Sequence, residues 1–168
     1  MTKQITTKYI AQNAVVAAVY FILTIILAPY SYLGIQFRIA ELLVLLCFWR
    51  PDFIIGVTLG CFLANTLSSL GPWDMLFGTL ATLVSALLVA YASPRLFISI
   101  IYPTAVNAFV VGAELYFILG EAFWVQVGLV AIGEGAVMIV SYLIWLILSR
   151  NKGLMNFLAP TRHQDIRY

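Results

Sequence analysis

Glu134 stands between Gly133 and Gly135 in the last apolar run of the chain, with no charged residue among the twelve positions on either side. A carboxyl at that depth in hydrocarbon costs about 3 kcal/mol or more, so it marks a functional site by default; the alternative is a protonated, hydrogen-bonded glutamate that packs helices. A second carboxyl, Glu114, follows Asn107 by seven positions in the preceding apolar run. That spacing is almost two helical turns and puts both on one face, about 10 Å apart along the axis. Arg38 and Glu41 are three apart and can pair on a helix face. Either this pair pins a helix end, or one member turns toward a polar solute. Asn65, Ser68, Trp73 and Asp74 complete the polar groups near apolar segments. Asp74, beside Pro72, is also a favourable charge at a helix start. Trp73 suits either a stacking surface or an interfacial anchor.

The elements that position these groups follow from composition. Hydrophobic residues make up 63% of the 168 residues and charged residues only 10%, against about 25% charged in soluble domains. Apolar stretches run at 9–30, 37–49, 52–70, 73–92, 96–119 and 122–149. At about 20 residues per span, six helices nearly exhaust the chain. An all-α membrane protein is expected: a single domain over 1–168, built as a six-helix bundle with a polar tail at 150–168. The ten-residue alternating pattern of an outer-membrane barrel is missing from the sequence.

Lys and Arg fall almost entirely into alternate gaps: Lys3 and Lys8, then Arg50, then Arg95, then Arg150, Lys152, Arg162 and Arg167. By the positive-inside rule both termini are cytoplasmic. The first apolar run is longer than a signal-peptide core and reads as a retained helix. Cys47 and Cys61 fall within spans, show no paired or metal-ligand spacing, and read as small buried apolar residues. His163, the one histidine, lies in the polar tail. No Ser-His-Asp set, phosphate loop or His/Cys cluster can be assembled, which excludes ATP hydrolysis by this chain alone. Neither a cofactor nor a nucleic-acid partner is expected.

Small residues describe helix packing. Gly56, Gly60 and Ala64 recur every four positions, the spacing that lets helices approach closely within the bundle. Ala14 and Ala18, flanked by Ala11 and Ala17, offer a similar face, either to the bundle or to a partner protein. Pro103 removes a backbone hydrogen bond near the start of the fifth span and favours a kink or a late helix start. Tyr30, Tyr32, Leu33, Ile35 and Phe37 are too apolar for a solvated loop and are expected to fold over the outer mouth. Because the sixth span runs antiparallel to the fifth, Glu134 comes to the level of Asn107, as the floor of a cleft open to the outside. The glycines beside Glu134 would let a flat, hydrogen-bonding ligand approach the backbone.

Three stretches, Ile35-Gln36-Phe37-Arg38-Ile39-Ala40-Glu41, Gly60-Cys61-Phe62-Leu63-Ala64-Asn65 and Trp73-Asp74-Met75-Leu76-Phe77-Gly78-Thr79-Leu80-Ala81-Thr82, with the later Asn107, Gly112 and Gly133-Glu134, resemble the queuosine-precursor transporter family, QueT. The resemblance covers most of residues 10–145. It implies an S-component of an energy-coupling-factor transporter in a bacterial plasma membrane. Such a subunit binds its solute from outside and joins a transmembrane coupling subunit carrying two ATPases, which use the ATP. In that class an alanine-rich face of the first helix meets the coupling subunit, here Ala14 and Ala18. The implied solute is a deazaguanine precursor of queuosine, whose guanine-like edge presents adjacent N–H donors and whose aminomethyl form adds a cation. Glu134 would accept from that edge or face the ammonium, with Glu114 as the second candidate. Asn107 and Asn65 would serve the carbonyl and ring nitrogens, Trp73 and Asp74 would line the site, and Arg38 with Glu41 would hold the cap or touch the solute.

Three other readings stay open on the sequence. One is an S-component for a different vitamin-like solute, since shared architecture does not fix the pocket. Another is a small membrane enzyme using Glu41 and Asp74 as acid and base. A third is a cation channel lined by Glu114 and Glu134.

Overall fold

A computed structural model describes residues 7–26, 37–158 and 161 of the protein. Of the apolar cap expected at residues 30–37 only Phe37 is described, and it is partly exposed; the rest of the cap and most of the polar tail beyond 158 lie outside the described residues. All regular structure among them is helical. The elements are α1 (Thr7–Ile26), a 3₁₀ segment (Ile39–Leu45) that runs into the short α2 (Leu46–Trp49), and α3 (Ile54–Asn65) after a 3₁₀ turn at Pro51–Phe53. There follow α4 (Pro72–Tyr91), α5 (Leu96–Ser99), α6 (Ile101–Leu119), α7 (Phe123–Leu148) and α8 (Lys152–Leu158).

Four of these are long and apolar enough to cross a membrane: α1, α4, the α5–α6 run from Leu96 to Leu119, and α7. Their outer faces expose large side chains, among them Val15, Leu76, Phe117, Trp124, Ile132 and Ile147. In water such a continuous apolar surface would aggregate; within a bilayer it is the surface that lipid wets.

The second expected stretch takes a different form from the four long helices. Ile39–Trp49 is only eleven residues long, and the run from Val44 to Trp49 is buried without interruption. It fills the middle of the bundle, touching α1, α4 and α7, while the long helices pack in the sequence α1, α3, α4, α6, α7 around it. An apolar run buried on every side has no polar face, so its hydropathy is indistinguishable from that of a lipid-facing helix. The Trp145 indole of α7 fastens the segment by donating to the Leu42 carbonyl at 2.8 Å. The third stretch is likewise shorter than its hydropathy suggests, because the helix ends at Asn65 and turns carry the chain to Pro72.

Glycine sets the closest approaches. A Cβ on Gly60 would stand 2.7 Å from the Tyr20 Cβ and 2.8 Å from the Ala17 carbonyl oxygen; on Gly56 it would meet the Asn13 oxygen at 2.9 Å. The Gly56–Gly60 face therefore packs α3 onto α1. Asn13 reinforces the joint: its Oδ1 accepts the Gly56 N–H at 2.8 Å, a first-turn donor with no partner inside its own helix. Pro103 acts as a late helix start, since α5 ends at Ser99 and Pro103 then occupies the first turn of α6, where a missing N–H costs nothing.

At one end of the bundle Arg50 gathers three segments. Its guanidinium forms a two-pronged ion pair with Asp52 at 2.8 and 2.5 Å, donates to the Leu158 carbonyl of α8 at 2.5 Å, and reaches Gln12 of α1 at 3.2 Å. Arg95 and Arg150 follow α4 and α7, which end on this same side, so among the described residues Arg50, Arg95 and Arg150 share one end and Asp74 and Glu121 the other.

Candidate functional site

The candidate residues other than Trp73 converge in the half of the bundle away from Arg50. Arg38, Glu41, Asn65, Asp74, Asn107, Glu114 and Glu134 are each more than nine-tenths buried. They come from the 3₁₀ segment, α3, α4, α6 and α7, so no two neighbouring elements alone could build the site. Arg38 precedes the 3₁₀ helix as its N-cap, and its Nη1 lies 3.7 Å from Cys61 Sγ. Its charge is felt by Glu41, Asp74, Glu114 and Glu134. Four carboxyls thus share the field of one guanidinium.

The carboxyls sort into two neighbouring pairs. The deeper pair is Glu41 and Glu134, which interact electrostatically. Glu41 Oε1 accepts from the Tyr20 hydroxyl at 2.5 Å and from Thr82 Oγ1 at 3.0 Å. The Asn107 side chain lies beside Glu134, so the two stand level on adjoining helices. Thr82 follows Pro72 by ten residues, placing this pair about 15 Å of helix rise below that end. The shallower pair is Asp74 and Glu114, near the start of α4 and the end of α6. Ser68 donates to Asp74 Oδ2.

Asn65 spans the space between α3 and α4, donating from Nδ2 to the Asp74 carbonyl at 2.9 Å and to Cys61 Sγ at 3.4 Å. That reach needs Gly78, where a Cβ would stand 2.8 Å from the amide nitrogen. Cys61 is buried and free, as expected, yet it is more than a small apolar residue. Its sulfur lies between Arg38, Asn65 and Thr82, 3.2 Å from the threonine oxygen.

The decisive feature is what remains unfilled. Glu41 Oε2, Glu134 Oε1, Asp74 Oδ1, Asn65 Oδ1 and both Glu114 oxygens are buried without a hydrogen-bond partner. A buried acceptor left empty costs about 1–3 kcal/mol, more when charged. A cluster that leaves six such atoms open is arranged for donors supplied from outside the chain. Among the described residues no group of three or more His, Cys, Asp and Glu is placed to hold a metal ion.

Trp73 is not part of this cluster. It is 51% exposed on the outside of α4 and stacks on Phe77 at 6.2 Å. With Phe109 and Phe117 it lines a largely apolar groove of about 770 Å³ between α4 and α6 that also reaches Glu114 of the cluster. As the first side chain after Pro72 it turns outward while Asp74 turns in. Gly135 also faces elsewhere than expected, toward the Thr104 methyl of α6 at 3.6 Å, in ordinary packing contact. Ala14 and Ala18 lie on the exposed side of α1, whereas Asn13, Ala17, Tyr20 and Thr24 form its buried side.

Two contributors escaped the reading of the sequence: Tyr20, and Thr82 in a polar rather than a packing role. A signal for Tyr20 was present, because Asn13, Tyr20 and Thr24 follow the i, i+7, i+11 spacing of one helix face and interrupt an otherwise apolar helix. No comparable periodicity singles out Thr82 among the small residues of α4.

A multi-pass helical membrane protein whose buried charges converge on unfilled acceptors belongs to the class of membrane transport proteins. A family model described as QueT transporter matches residues 10–150. The queuosine precursor transporter QueT of Lactococcus lactis subsp. cremoris (strain MG1363) is 34% identical over 152 residues, covering 80% of this chain and 88% of that protein. This chain belongs to the QueT transporter family, and it is a transport protein rather than an enzyme. No solved structure matches it.

Proposed function

We propose that this protein is the solute-binding subunit, the S-component, of an energy-coupling-factor importer, and that it captures a deazaguanine precursor of queuosine from outside the cell. The observation that carries this reading is the pair of carboxyl pairs around Arg38 with their open oxygens. A 7-aminomethyl-7-deazaguanine is a flat molecule with adjacent N–H donors on its guanine-like edge and an ammonium on its other side. Two separated groups of acceptors match its two separated groups of donors, and partnering makes burial of charge tolerable on both sides. The relative's name points to the same solute class.

In this proposal the short segments at 37–49 and 52–70 complete a six-span domain with both termini in the cytoplasm of a bacterium. The chain holds no cofactor; ATP is used by two partner ATPases joined through a coupling subunit, and the exposed Ala14–Ala18 side of α1 meets that subunit.

Titrating purified protein with 7-aminomethyl-7-deazaguanine tests the solute. Glu134→Gln is expected to weaken binding tenfold or more, because an amide keeps the shape but replaces one acceptor with a donor. Unchanged affinity in a folded variant rejects the assignment. Mass spectrometry of solute retained through purification separates this solute from any other vitamin-like molecule. For the partner face, Ala14→Trp combined with Ala18→Trp should abolish copurification with the coupling subunit, since two bulky rings prevent close helix approach. Normal copurification rejects that interface.

A further inference from the structure

Tyr20 is wholly buried, and its hydroxyl donates to the same Glu41 oxygen that Thr82 holds from the opposite helix. Both donors converge on Oε1, leaving Oε2 without a partner although Glu41 is only 1% exposed. Both hydrogen bonds are donated to one oxygen of the carboxyl, so that oxygen is filled and the other remains an acceptor. They also fix its plane, so the open oxygen has a defined position. The neighbouring Glu134, beside Asn107, likewise presents an open oxygen, Oε1, at 3% exposure. The deeper pair therefore has two neutral donors, Tyr20 and Thr82, both on Glu41, and the shallower pair has Ser68 on Asp74.

We infer that the open oxygens of Glu41 and Glu134 form a seat for an ammonium group, with Tyr20 as the residue that positions it, while Asp74 and Glu114 take the uncharged N–H edge of the same solute. This division of labour rests on the proposed solute class and adds the direction in which the solute lies: cation toward the middle of the bundle, ring edge toward the Asp74 end. Arg38 acts electrostatically on both pairs and offsets part of the charge that the solute leaves unmatched. Charge-assisted hydrogen bonds are roughly twice as strong as neutral ones, so the deeper seat discriminates cationic from neutral substituents on one ring.

The test compares two ligands that share the ring, 7-aminomethyl-7-deazaguanine and its neutral 7-cyano counterpart, and reads the ratio of their dissociation constants. The wild-type protein is expected to favour the aminomethyl ligand. Tyr20→Phe, which removes one hydroxyl from a buried site, should shrink that preference about tenfold, and Glu41→Gln should shrink it further. Asp74→Asn should weaken both ligands and leave the ratio in place. An unchanged ratio in Tyr20→Phe would show a merely structural tyrosine and overturn the seat. Should that variant fail to fold, Thr82→Val removes the other donor to the same oxygen and must produce the same narrowing. Binding of neither ligand by the wild-type protein rejects the solute class itself, an outcome distinct from binding with an unaltered ratio.

Discussion

Arg38→Ala is expected to be the most damaging single substitution at the site. It withdraws the positive charge common to Glu41, Asp74, Glu114 and Glu134 while leaving all four carboxyls where they are. Removing one partner of a buried ionic group costs about 3–5 kcal/mol, because the remaining charge keeps its desolvation penalty. At about 1.4 kcal/mol per factor of ten, that is a hundredfold or more in any equilibrium linked to the cluster. Thermal unfolding in detergent should show a clear fall in midpoint, and solute binding should become undetectable. Arg38→Lys keeps the charge but loses the planar donor fork, so it should recover stability better than affinity. A variant that melts with the wild type and binds normally would show that the guanidinium does not organise the cluster.

The second large effect is expected away from charge. Gly60→Val puts a side chain where the nearest atoms are the Tyr20 Cβ at 2.7 Å, the Ala17 carbonyl oxygen at 2.8 Å and the Ala17 Cα at 3.0 Å. None of these is the tip of a flexible side chain, so α1 and α3 must separate. Overpacking of this kind costs about 1–3 kcal/mol, and more when backbone must move. The same displacement would pull Tyr20 from Glu41, so binding should weaken together with stability. Gly128→Ala is the matched control, because a Cβ there meets nothing within 4 Å, and no loss is expected. If Gly60→Val melts like Gly128→Ala, the close α1–α3 contact is absent from the folded protein in detergent.

Much of the site was visible in the residue types, for a reason specific to membranes. Charges and amides inside apolar stretches are so costly that Glu134, Glu114, Asn107 and Asn65 stand out against their neighbours without any knowledge of the fold. Hydroxyls are cheaper to bury, since a helical threonine can satisfy itself on its own backbone, as Thr24 does on the Tyr20 carbonyl at 3.0 Å. Thr82 was therefore inconspicuous, although its hydroxyl is turned to Glu41. For Trp73 the residue type fitted either a stacking surface or an interfacial anchor; adjacent residues on a helix point about 100° apart, so Asp74 enters the bundle while Trp73 stands on the outside of α4.

The sequence by itself determined that the chain is a helical membrane protein with buried charge, because hydropathy and charge cost are local properties that sum along a segment. It also located the Gly56–Gly60 packing face and the late start at Pro103, both consequences of residue chemistry at one position. Only the tertiary structure decided that residues 39–49 form a buried centre and that Tyr20 reaches across to Glu41. It alone decided which carboxyl oxygens remain open. Those outcomes depend on which helices become neighbours and on how far apart their backbones stand. Two segments of equal hydropathy can face lipid or core, and a carboxyl is filled or left empty only when every helix around it is in place.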